Sequence, residues 1–193
     1  MKFSARDYRM PRYKEIPNVG LYLEQTVKYI NECLAPIEIS ITPSMLSNYV
    51  KKGYIDRPVK KQYYADQIAY AIYIVIIKQV LSMDNIASLF VLQKATYTLP
   101  VAYDYFCSEL EKTLVAIFED KEEPKKETGD SSFEKKMLRS VIIAVSHIIY
   151  LNDCFKNNLQ DNASDFISAV PFFGITQDHI YRATVQGISL FLC

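Results

Sequence analysis

With 193 residues, half of them hydrophobic, the chain is long enough to bury a sizeable core without a disulfide or metal staple. Its 22 basic and 22 acidic side chains leave it formally neutral, which excludes a uniformly cationic coat of the kind that adheres to any polyanion. Cys33, Cys107, Cys154 and Cys193 are widely spaced with no CxxC pair, so neither a zinc site nor a disulfide framework is expected, and they read as small hydrophobes in a reducing cytosol.

Residues 1–18 form a basic arm containing Tyr8 and Tyr13 and punctuated by Pro11 and Pro17. Such an arm either lies along a polyanion or folds back, and the cost of exposing two tyrosines favours folding back. Its start has no apolar stretch of signal-peptide type, and the longest apolar runs, 68–77 and 141–145, are too short to span a bilayer. A cytoplasmic protein is expected. Residues 19–34 place Leu21, Leu23, Val27, Ile30 and Leu34 near helical spacing, which predicts a first helix.

Thr42 and Pro43 then give a helix start, because the hydroxyl accepts from an early free amide and proline is tolerated at the first helical position. Gly53 stops this short helix over 43–52. At about 100° per residue, Leu46, Tyr49 and Val50 form its apolar stripe, and Ser44, Ser47, Asn48 and Lys51 lie opposite, with Lys52 at the edge. No carboxylate occurs from residue 41 to 55. That face suits the major groove: Asn bonds adenine in a bidentate way, Lys reaches guanine or phosphate, and Ser serves either. It also reads as the solvated side of an ordinary amphipathic helix. A basic turn over 57–61, with Arg57, Lys60 and Lys61, follows, and Tyr63 comes just beyond it.

The run 68–81 is apolar almost all round; its β-branched content suits a strand, but its length suits a helix that must be covered on every side. Ser82 caps the next helix. LSNYVKKG, residues 46–53, resembles the second helix of MerR-type winged helix-turn-helix proteins. QYYADQIA resembles the passage from their wing into the third helix, and LSMDNIASLF their fourth helix. Two departures stand out. Ser47 replaces the arginine common after the leucine, and the wing lacks the usual Asn-Gly tip, leaving Lys51, Lys60 and Lys61 as substitutes for the usual phosphate contacts. More closely, the stretch is similar to a bacterial group termed domain of unknown function 1836, which implies a MerR-like head without assigning an activity.

Beyond the head, residues 100–118 predict an amphipathic helix with Val101, Tyr105, Leu110, Leu114, Val115 and Phe118 inward, and with Asp104, Glu109 and Glu111 on a solvated face. Residues 119–132 have linker composition. A long helix over 133–155 follows, then an aromatic turn at 169–174 and a last helix capped by Thr176. The expected fold is therefore mainly all-α: an arm (1–18), a winged helix-turn-helix head with a short wing (19–92) and a helical body (99–193).

The halves differ in charge. Residues 1–64 carry eleven basic and six acidic side chains, and the remainder eleven and sixteen. A basic head on an acidic body fits a protein presenting one face to a polyanion. His147 and His179 belong to no HExxH, and GxSxG, Walker and dinucleotide fingerprints are missing; His147, within an apolar run, reads as a core residue. No enzyme, cofactor or metal is expected. The leading expectation is a DNA-binding transcriptional regulator using Ser44, Ser47, Asn48, Lys51, Lys52, Arg57, Lys60, Lys61 and Tyr63, assembled as a homodimer through its C-terminal helices, with any small-molecule effector unassigned. The alternative is a helical protein–protein interaction module that keeps the scaffold without binding DNA.

Overall fold

A computed structural model describes residues 3–119 and 132–161. The chain is mainly α-helical, with one two-stranded sheet among the described residues: β1 (Leu21–Tyr22), α1 (Leu23–Leu34), α2 (Pro43–Lys51), β2 (Gln62–Tyr63), α3 (Ala65–Ile77), α4 (Met83–Thr96), α5 (Leu99–Phe118) and α6 (Phe133–Asp161). The aromatic turn at 169–174, the last helix with His179, Cys193 and most of the expected linker lie outside the described residues.

Residues 19–22 are not helical as expected. β1 pairs antiparallel with β2, Leu21 opposite Tyr63 and Tyr22 opposite Gln62, and the chain approaches so closely that a Cβ on Gly20 would sit 2.7 Å from the Gln62 Cβ. Helix α1 begins only at Leu23, where the Gln25 side chain accepts from the Tyr22 amide at 2.9 Å.

Helix α3 is the central element. Ile68, Ala69 and every residue from 71 to 77 are buried, which is the all-round coverage its composition demands. It ends at Ile77, not at Leu81: the Gln79 and Leu81 amides turn back to the Ile76 and Ile77 carbonyls, and the Ser82 hydroxyl then accepts from the Asn85 amide at 3.3 Å to start α4. Tyr73, buried within α3, packs its ring 4.4 Å from that of Phe106 and donates its hydroxyl to the Ala102 carbonyl at 2.7 Å. That tyrosine ties α3 to α5.

Helix α5 buries a wider arc than expected. Tyr103, Phe106 and Cys107 are fully covered along with Leu110 and Leu114, whereas Val101 is 58% exposed. The cause is the N-terminal arm, which lies on α5 and covers a second side of it. Ala5, Tyr8, Met10 and Ile16 are buried, and Phe3 meets Phe118 edge to face at 4.9 Å. The acids of α5 expected to be solvated are what hold the arm: Glu111 accepts from the Met10 amide at 2.7 Å and from both terminal nitrogens of Arg12 at 2.8 and 2.6 Å, and Asp104 accepts from the Tyr13 amide at 2.7 Å.

Val141, Ile142, Val145 and Ile149 of α6 join the same core, and His147, expected inside, is exposed on the opposite face. The expected boundary near residues 92–99 falls at the α4–α5 junction, within one compact unit that runs to Leu151. The apolar runs expected to be too short to span a bilayer lie within longer helices, and Phe133–Asn157 is one helix of sufficient length and mean hydropathy, 1.3, to do so. Its first turns carry Glu134, Lys135, Lys136 and Arg139, and one side of it is occupied by the core. A second unit begins at Asn152, where Asn157 donates to Asp153 at 2.8 Å.

Candidate nucleic-acid interface

Helix α2 starts as its sequence dictates. The Thr42 hydroxyl accepts from the Met45 amide at 3.2 Å, Pro43 occupies the first turn, and Gly53, at φ 79°, turns the chain away after Lys52. Leu46 and Tyr49 are buried and Val50 half-buried, so α1 and the core take that side. Ser44, Ser47, Asn48, Lys51 and Lys52 are all exposed.

The lead-in to α2 is fixed by Asn31 of α1, which donates its amide to the Ile41 carbonyl at 3.0 Å and accepts the Ile41 amide at 2.8 Å. This pairing satisfies both backbone groups of a nearly buried residue and sets where α2 begins.

The basic turn is a tight hairpin. Val59 and Gln62 exchange both backbone hydrogen bonds, at 3.0 and 2.9 Å, around Lys60 and Lys61. Those two lysines have φ 50° and 66°, so both central residues are left-handed, as a type I′ turn requires. Asn-Gly meets that demand at little cost; two lysines do not, at about 1 to 2 kcal/mol for each side chain crowded against its own carbonyl. The hairpin therefore forms without the Asn-Gly tip, and its strained point carries two exposed ammonium groups.

Gln67 holds the base of this hairpin. Its carbonyl oxygen accepts from the Tyr64 amide at 2.8 Å, capping α3, and its amide donates to the Arg57 and Asp56 carbonyls at 2.8 and 3.2 Å. At 7% exposure its polar atoms are thereby satisfied inside the protein. Arg57 projects from this pinned segment into solvent.

Of the nine residues expected to form the interface, eight are exposed. Tyr63 is the correction. It is 5% exposed, because β2 pairs with β1 and turns this side chain into the core opposite Leu21, and burial raises its hydroxyl pKa. Asn31 and Gln67, which fix the lead-in to α2 and the base of the hairpin from within, carry no signal in the hydrophobic periodicity. Gln67 had a legible signal as the third residue of the helix after Tyr64, the place where a Gln side chain reaches back to the preceding amide.

Cations on the two surfaces differ in their partners. In the arm, Arg6 is bonded to Glu119, Arg9 to Glu15 at 2.7 Å and Arg12 to Glu111. Lys51, Lys52, Arg57, Lys60 and Lys61 have no ion pair or side-chain hydrogen bond among the described residues. The described residues also contain no group of three or more His, Cys, Asp or Glu arranged to hold a metal ion.

Residues 11–106 match the family model of a domain of unknown function, DUF1836. The DUF1836 match spans the strand pair, α1 to α4 and the first part of α5, and so contains the whole exposed basic face together with Asn31 and Gln67. It stops within α5, just short of Glu111. No curated protein and no solved structure matches the chain.

Proposed function

We propose that the protein is a cytoplasmic DNA-binding transcriptional regulator that works in the way of the MerR-type winged helix-turn-helix proteins that residues 46–90 resemble. The observation that carries this reading is that α2 and the hairpin expose five cations without acidic partners among the described residues, together with two serines and Asn48 on α2. Under this reading α2 lies in the major groove, Asn48 and Lys51 meet base edges, and Ser44 and Ser47 serve bases or phosphates. Lys52, Arg57, Lys60 and Lys61 hold the flanking phosphates, the last two reaching from the hairpin tip as a wing.

One short helix reads only a few base pairs, and a single head of this size covers about 600 to 1,000 Å² of DNA, modest for finding one site in a genome. The reading therefore includes a two-fold homodimer assembled through the helices beyond residue 99, with half-sites about one helical turn apart or a multiple of it. Val101, Phe133 and Leu151, all exposed, supply apolar surface for it.

Selection of bound sequences from a random duplex pool with the full chain tests the reading. Enrichment of a motif with two-fold symmetry is the expected outcome. If no duplex is retained at about 50 mM salt, where phosphate contacts are strong, the protein–protein alternative stands in its place. Light scattering across a dilution series tests the assembly, since a mass staying at 22.3 kDa at high micromolar concentration contradicts the dimer.

A further inference from the structure

A cleft of about 130 Å³, open on one side, lies between α4, α5 and the start of α6, remote in sequence from the basic face. Tyr73, Phe90, Tyr97 and Tyr105 supply ring surfaces to it, and Leu89 and Leu138 aliphatic ones. The rings are fixed from behind: Tyr73 by its bond to the Ala102 carbonyl and Phe90 by edge-to-face contact with Tyr70 at 4.9 Å. Gln93 donates to the Tyr97 carbonyl at 2.7 Å, which holds the α4–α5 junction beside the cleft.

The charge at the rim is specific. Lys135 is half-buried, with its ammonium 5.8 Å from the Tyr97 ring centre and 5.6 Å from that of Tyr105, and it has no carboxylate partner among the described residues. Glu134 also lines the cleft, but its carboxylate is engaged by its own backbone amide and by the Ser132 hydroxyl. An ammonium held over aromatic faces and unmatched by an acid offers a seat for an anion while leaving those rings to pack against an apolar group.

Volume limits the apolar group. An apolar void of about 150 Å³ admits benzene, so a space of about 130 Å³ seats one ring, and a fused pair or a long acyl chain would extend from its open side. We propose that this cleft binds a monocyclic aryl carboxylate, with the ring among Tyr73, Phe90, Tyr97 and Tyr105 and the carboxylate on Lys135. Its occupancy does not depend on whether α2 binds DNA, so the two readings fail separately.

Calorimetric titration of the full chain with phenylacetate, benzyl alcohol, benzylamine and 1-naphthylacetate tests it. Phenylacetate, with about ten heavy atoms, should bind with a Kd of about 0.1 to 1 mM. Benzyl alcohol should bind about tenfold more weakly for want of a charge, and 1-naphthylacetate no more tightly than phenylacetate, because its second ring extends from the open side. Lys135→Met, which keeps the aliphatic stem, should bring phenylacetate to the level of benzyl alcohol. Tighter binding of benzylamine than of phenylacetate would overturn the assignment, as would saturation by none of the four at 10-fold the expected Kd, about 10 mM. An affinity for phenylacetate that survives Lys135→Met would also overturn it, since the anion would then be read elsewhere.

Discussion

The arm and the α2–hairpin surface carry the same kind of charge, and the fold uses them in opposite ways. Arg6, Arg9 and Arg12 meet Glu119, Glu15 and Glu111, so Arg6 and Arg12 are consumed in attaching the arm and Arg9 in pairing within it. Lys51, Lys52, Arg57, Lys60 and Lys61 meet no acid among the described residues, residues 41–55 contain no carboxylate, and all five side chains are exposed. A net charge summed over residues 1–64 counts the two groups alike. For Arg6 and Arg12 what decides availability is that the fold brings an acid across from about a hundred residues away, and for Arg9 that Glu15 lies within the same arm.

The largest effect expected from breaking this contrast is on the arm. Arg12 and Glu111 are 26% and 17% exposed, and Glu111 also accepts the Met10 amide. Glu111→Leu leaves that amide unpaired and a partly buried guanidinium without its partner, at a cost of about 2 to 3 kcal/mol in stability, measurable as a lower urea midpoint. A local reporter sharpens the test. The Cys107 thiol lies 3.9 Å from the Pro11 carbonyl and burial pushes its pKa up to about 12, so at pH 8 it should resist iodoacetamide. The thiolate fraction rises as pH climbs towards that value, and in Glu111→Leu alkylation at pH 8 should become faster. Equal rates in the two proteins would mean that the arm stays seated without Glu111.

On the other surface, Asn48→Ala should cost about 1 to 3 kcal/mol on the preferred duplex and relax the choice of base there, with no change in folding stability. Equal losses on preferred and random duplexes would remove Asn48 from base reading. The hairpin tip should show a smaller change with opposite signs in folding and binding. Lys60→Asn combined with Lys61→Gly relieves two left-handed lysines, so the protein should gain about 1 kcal/mol in stability while its DNA affinity falls. Loss of stability would show that the tip is not strained.

Local signals in the sequence carried most of the helices. Thr42-Pro43, Gly53 and Ser82 delimit α2 and start α4 through short-range hydrogen bonds, and the unbroken apolar run of α3 could only be a covered core element. Less legible were the features that depend on distant partners. Tyr63 differs from the exposed residues near it only because β1 pairs with β2, and Glu111 differs from a solvated helix acid only because the arm reaches it. Val101 and His147 were placed inside by composition and stand outside because neighbouring helices cover other arcs. Asn31 and Gln67 reach backbone groups ten or eleven residues away, a range at which hydrophobic periodicity gives no signal.

The central claim is that the α2–hairpin cations, and not those of the arm, contact DNA. The most direct test is the salt dependence of binding to the selected duplex, measured for the parent chain and for single alanine variants from both surfaces. The four phosphate contacts assigned to each head, from Lys52, Arg57, Lys60 and Lys61, give a slope of log K against log salt of about −3 to −4 for each head bound. Lys52→Ala, Lys60→Ala and Lys61→Ala should each flatten it by about one per head, and Arg6→Ala and Arg9→Ala should leave it unchanged. Flattening by the arm variants with an unaltered slope in the lysine variants would contradict the account.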